Sequence, residues 1–159
     1  MMRNSILFIF LVTLYSCEEQ PCHHDIFKGI TSTDYDGSAL SAADPDDWTF
    51  TDHWDNDIMD LFDSDHDANC EPSFNYSIIA YPNPCNGLFD LHFDKDSSTT
   101  VDIRIRNDAC DILANIDGVT SNTIQIQSQN NSPQKIVRLY YKFIRNNCEY
   151  QGHGDIYFE

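Results

Sequence analysis

The stretch Ala80-Tyr81-Pro82-Asn83-Pro84-Cys85-Asn86-Gly87-Leu88-Phe89-Asp90-Leu91 decides how the chain reads: strand, punctuated turn, strand. Pro82 and Pro84 cannot donate to a sheet ladder and turn Tyr81 and Asn83 away from helix, while Gly87 offers a permissive backbone position just before a new alternating run. The stretch also divides the charge. Of the net −17, residues 18–75 supply −15 (16 acidic residues against Lys28) and residues 76–159 supply −3 (10 against seven), with Arg3 completing the sum. An acidic lead-in therefore precedes a nearly balanced domain, and nucleic acid and anionic membrane surfaces are poor partners for the whole.

Downstream of residue 76, short alternating runs recur between turn residues. They cover 76–81, 88–93, 100–106, 112–116, 123–127, 135–144, 149–151 and 156–158. Phe89, Leu91 and Phe93 share one face, with Asp90 and His92 opposite. Val101, Ile103 and Ile105 point one way, with Asp102, Arg104 and Arg106 opposite. Val137, Leu139, Tyr141 and Phe143 line the longest run. Gly152-His153-Gly154 reads as a turn between the last two runs. Seven to eight strands with one apolar face each predict an all-β, antiparallel immunoglobulin-like sandwich, with a half-open barrel as the other architecture.

Upstream, Arg3 and the apolar run Ile6-Leu7-Phe8-Ile9-Phe10-Leu11-Val12 read as an export signal, too short to span a bilayer. Its end, Leu14-Tyr15-Ser16-Cys17, resembles a bacterial lipobox, in which Cys17 carries the lipid and becomes the first mature residue. The alternative is an ordinary signal peptide cut nearby. Glu18-Glu19 resemble the surface-export tag of lipoproteins in one phylum of Gram-negative bacteria, and read equally as a solvated tether. The chain thus divides into a signal peptide (1–16), an acidic tether with a short amphipathic helical segment (17–75) and a β-sandwich (76–159).

Within the tether, residues 20–47 show no sustained period and read as partly disordered. Asp44-Pro45-Asp46-Asp47 carries helix-start chemistry: an N-cap, proline at the first helical position and acids in the first turn. Trp54, Ile58, Leu61 and Phe62 follow at helical spacing, so one or two short helices are expected between 45 and 62, docked on the sandwich. Asp63, Asp65 and Asp67 alternate as calcium ligands do, but Ala68 and Phe74 stand where an EF-hand loop needs glycine and glutamate. A looser calcium-stabilised turn, or a solvated linker, is what remains.

With the strands placed, Tyr81-Pro82-Asn83-Pro84, then Gly87, then Leu91 resembles the YPNPxxGxxxL signature that opens the C-terminal sorting domain of type IX secretion cargo. That resemblance implies a sandwich recognised by a translocon. This chain differs in carrying Cys110-Asp111 where the family has a glycine and a basic residue, in ending on Asp155-Ile156-Tyr157-Phe158-Glu159, and in having only the acidic segment as passenger. The whole layout is similar to small bacterial lipoproteins with a sorting-domain-like sandwich kept as the body of the protein.

If Cys17 is lipidated, five cysteines remain in an oxidising compartment. The pairing expected is Cys70 with Cys85 and Cys110 with Cys148, leaving Cys22 unpaired or intermolecular. No nucleophile elbow, phosphate loop or HExxH is present, and His153 and Asp155 lack an accompanying nucleophile. The reading is a non-enzymatic, lipid-anchored envelope protein without a cofactor, calcium aside. Its membrane contact would be the lipid, and its partner an envelope protein or the secretion machinery. The alternatives are secretion cargo and a calcium-stabilised surface binding protein.

Overall fold

Along the longest strand, Val137, Leu139, Tyr141 and Phe143 alternate with Arg138, Tyr140 and Lys142, and both sets are buried. A strand covered on both faces lies at the centre of a layered structure. The computed structural model describes residues 29–50, 54–62, 75–127 and 135–159. Its strands are β1 (Thr49–Phe50), β2 (Ser77–Tyr81), β3 (Leu88–Asp94), β4 (Thr100–Arg106), β5 (Ile112–Val119), β6 (Thr123–Gln127), β7 (Lys135–Arg145) and β8 (Cys148–Phe158). They form two antiparallel sheets, β1-β8-β7-β4-β5 and β2-β3-β6, stacked as the all-β sandwich that the alternating runs predict.

The core lies between the sheets. From the small sheet come Ile78, Ala80, Phe89, Leu91, Phe93 and Ile126; from the large sheet Val101, Ile103, Ile105, Val137, Leu139, Tyr141, Phe143, Ile156 and Phe158. Burying each large apolar side chain contributes about 1.5–3 kcal/mol. Phe143 sits at the crossing of four rings, edge-on to Phe50, Phe93 and Tyr141 and stacked on Tyr76 at 5.2 Å. The β7–β8 hairpin turns at Asn146-Asn147, both left-handed (φ 49° and 65°), as a two-residue hairpin on a right-twisted pair requires.

The lead-in differs from the sequence expectation in two ways. No helix starts at Pro45. Asp44–Asp47 is a turn closed by Asp47 N–H donating to Asp44 O at 3.1 Å, and the chain then joins β8 as β1, with Thr49 opposite His153 and Phe50 opposite Gly152. The three-stranded sheet is narrower than its partner, and Trp48 and Phe50 extend the core beside it. Trp48 stacks on Tyr141 at 6.3 Å, and Phe50 meets Tyr141 edge-on at 5.4 Å. Residues 29–50, read from composition as tether, are thus folded onto the domain. The expected helix shrinks to α1 (Asn56–Met59), which docks on the outer face of the large sheet as anticipated. There Trp54 stacks on Phe62 at 4.9 Å, Ile58 and Tyr140 are buried with them, and Arg104 Nε donates to Leu61 O at 2.8 Å.

The second difference is β8 itself. Two short runs and a glycine turn are in fact one eleven-residue strand. A Cβ on Gly152 would meet Thr49 O at 2.0 Å, and one on Gly154 would meet the Trp48 indole at 2.4 Å. The glycines are there because the lead-in lies directly on the strand. Gly154→Ala should therefore cost about 1–3 kcal/mol in urea unfolding, and should cost clearly less in a Trp48→Ala background, where the ring is gone. Equal costs in both backgrounds would show that the indole is not the obstacle.

Candidate functional site

The Tyr81–Leu91 stretch closes one end of the sandwich. Its centre is Asn83, which has no exposed surface. The side-chain amide donates to Thr31 O at 3.0 Å and Asp155 O at 2.8 Å, and its oxygen accepts Tyr157 N–H at 3.0 Å. Only this amide orientation meets two carbonyls with its donors and one N–H with its acceptor. The backbone of Asn83 exchanges both hydrogen bonds with Thr33, at 2.7 and 3.1 Å. Thr33 Oγ1 donates to Ala80 O at 2.6 Å. One residue thereby ties the lead-in, the exit of β2 and the end of β8 together. Both Tyr81-Pro82 and Asn83-Pro84 are cis, and Gly87 is left-handed at φ 79°.

Beside this clasp lies a buried ionic group. Arg138 on β7 and Asp155 on β8 face each other across the ladder and pair bidentately, with Nε to Oδ1 and Nη2 to Oδ2 both at 2.8 Å. Asp155 N–H donates to Asp47 Oδ1 at 2.8 Å, and Thr31 N–H to Asp47 Oδ2 at 2.6 Å. Burial pushes the Asp47 carboxyl up to about 6; its two N–H donors oppose the shift, and the Asp155 charge adds to it. Trp48, the next residue, holds φ 56°, where a bulky side chain is strained.

The residues singled out from sequence fall as follows. Leu91 is fully buried in the core, Tyr81 is half-buried against Gly37, and Pro82 and Pro84 are half-buried. Asp155 gives both carboxylate oxygens to Arg138. Cys17, Cys70, Asp63, Asp65 and Asp67 lie outside the described residues, and among the described residues no group of three or more His, Cys, Asp or Glu could hold a metal. Thr31, Asp47 and Arg138 were not singled out as a group from sequence. The available signals were the acid of the Asp44–Asp47 turn, the acid beside Gly154 and an arginine on the longest apolar strand.

The expected cysteine pairing is overturned. Cys85 is a free, buried thiol, its N–H donating to Tyr157 O and its carbonyl accepting Glu159 N–H, both at 2.9 Å; burial pushes the thiol up to about 11. Cys110 and Cys148 are each disulfide-bonded, but not to one another. Cys110 follows Arg106, which pairs with Arg138, whereas Cys148 pairs with Arg145 seven residues along β7, about 24 Å away. A disulfide needs Cα atoms within about 7 Å.

Compared with known proteins, the chain matches no family model, no curated protein and no solved structure.

Asn83→Ala would strand two carbonyls and one N–H, and should lower the unfolding free energy by about 3 kcal/mol. Asn83→Asp, which aims carboxylate oxygens at the carbonyls of Thr31 and Asp155, should be worse at neutral pH. Asp47 gives a pH signature. Because its pKa is raised from 3.8 to about 6 on folding, the folded state holds a proton there that the unfolded chain has released. The associated stability is present below about pH 4 and is lost as pH rises through about 6. Measured against Asp47→Asn, whose amide does not titrate, the unfolding free energy should fall by up to about 3 kcal/mol over that range. A flat difference would refute the raised value.

Proposed function

We propose that this is a non-enzymatic, lipid-anchored cell-envelope protein in which the sandwich, of sorting-domain ancestry, is the working body and serves as an interaction or structural module. The observation that carries the reading is a lipobox-like ending at Cys17 followed by a lead-in built into the domain it precedes. A detachable sorting tag would be complete without what comes before it. Here Trp48 and Phe50 pack on the core, and Thr31, Thr33 and Asp47 complete the Asn83 clasp. The burial of Asn83 and Leu91 fits a motif kept for folding.

Type IX secretion cargo is the second reading, favoured by the agreement of Tyr81, Pro82, Asn83, Pro84, Gly87 and Leu91 with the sorting signature. The two readings separate in experiment. Replacing Cys17 by Ser should release the full-length protein from the membrane fraction; unchanged fractionation defeats the anchoring. Residues 76–159, fused behind an exported reporter, should unfold more readily than the same domain with residues 29–75 restored. They should also leave the reporter in the periplasm. A folded fragment that carries its reporter to the cell surface would establish the cargo reading instead.

A further inference from the structure

Residues 29–50 lie along the outer edge of β8 and are held to it by few bonds. Trp48 N–H donates to His153 O and Asp155 N–H to Asp47 Oδ1, both at 2.8 Å, and β1 adds two residues of ladder. Three costs gather at the same junction. Trp48 is left-handed at φ 56°, its Nε1 is buried without a hydrogen-bond partner, and the Asp47 carboxyl is buried without an ion-pair partner among the described residues. We propose that residues 29–50 form a strap released by rising pH, which comes away from β8 as a unit when Asp47 ionises and leaves the sandwich folded beneath it.

The sandwich is complete without the strap. The strands β8-β7-β4-β5 and β2-β3-β6 pair among themselves, β8 along all eleven of its residues, and every buried residue of the core between the sheets comes from 78–158. Trp48 and Phe50 are half-buried additions at its margin. When the strap leaves, Asn83 loses its bonds to Thr31 and Thr33 but keeps those to Asp155 O and Tyr157 N–H. Segments with few buried apolar contacts open locally, at a lower free energy than the whole domain.

Position keeps the proton on Asp47. Around it stand Asp44 and Asp46 on its own turn, Asp155 on β8 with His153 two residues before it, and Arg138 and Tyr141 on β7. The Arg138 guanidinium is turned to Asp155, with both N–H···O bonds at 2.8 Å, while the Asp155 charge acts on Asp47 as a like charge. The Tyr141 hydroxyl donates to Thr49 O and is raised well above its ordinary value by burial, with the Asp47 charge adding to it. Burial is the main cause that lifts Asp47 from 3.8 to about 6, and a carboxyl freed into water returns to the lower value. The fastening is therefore whole below about pH 4 and is lost as pH rises through about 6, the opening constant growing about a hundredfold.

The test is hydrogen exchange of the full-length protein, read by peptide mass spectrometry from about pH 4 to about pH 8 with the intrinsic pH dependence of exchange divided out. Peptides of residues 29–50 should exchange faster than those of β4 and β7 at every pH and speed up about a hundredfold as Asp47 titrates. Urea too dilute to unfold the domain should hardly change them. Asp47→Asn should abolish the pH dependence. His153→Gln, which removes the neighbouring imidazole, a group of the type that titrates near neutrality, should retain it. Exchange of the strap at the same rate as β7 would show that it leaves only when the whole domain unfolds, and would overturn the proposal on the native chain alone. So would a pH dependence that survives Asp47→Asn or vanishes with His153→Gln.

Discussion

Arg138 and Asp155 hold opposite charges in the interior, and the rest of the closed end is arranged to make that possible. A buried ion pair adds little net stability compared with apolar side chains of the same size, but losing one partner leaves an uncompensated charge at a cost of about 3–5 kcal/mol. The geometry accordingly leaves little unsatisfied. Both carboxylate oxygens of Asp155 accept from the guanidinium, its N–H reaches Asp47, and its carbonyl accepts from Asn83. Each of these bonds reaches a different stretch of chain. The pair thus acts as a register mark, since sliding β8 by one residue on β7 would turn Asp155 toward the apolar core.

The same logic repeats farther along this outer face of the large sheet. Arg104 and Lys142 are buried under the segment 54–62, Arg104 against Asp117 and Lys142 against Glu149 at 3.0 Å, and both lie over the Phe62 ring. The acidic lead-in meets a domain face that carries the basic side chains, which gives the uneven charge of the sequence a structural meaning. Arg106 and Asp57 extend that match at 3.4 Å.

What was legible in the sequence was what repeats. Alternation placed β3, β4 and β7 on their correct faces. A two-residue strand cannot display a period, so β1 was hidden behind the helix-start chemistry of Asp44-Pro45-Asp46-Asp47. Only its partner β8 decides its conformation. Gly152 and Gly154 looked like turn residues because glycine has two uses, and room for a neighbouring ring is visible only once Trp48 is in place. Asn83 was read as a turn former; its burial depends on three segments distant in sequence. That Cys110 and Cys148 are not bonded to one another depends on which ends of the sheet they occupy, which spacing along the chain does not encode.

Cys85 has a bearing on how the molecule keeps its cross-links. Among the described residues Cys85 is the free thiol that could exchange with the disulfides of Cys110 and Cys148, and exchange proceeds through the thiolate. With its pKa pushed up to about 11, only about one molecule in ten thousand carries that thiolate at neutral pH, and the sulfur is enclosed as well. The native fold therefore protects its own cross-links from rearrangement. The protection exists only after β8 has closed over residue 85, so correct connectivity is maintained by tertiary structure and is open to scrambling whenever the C-terminal strand comes away.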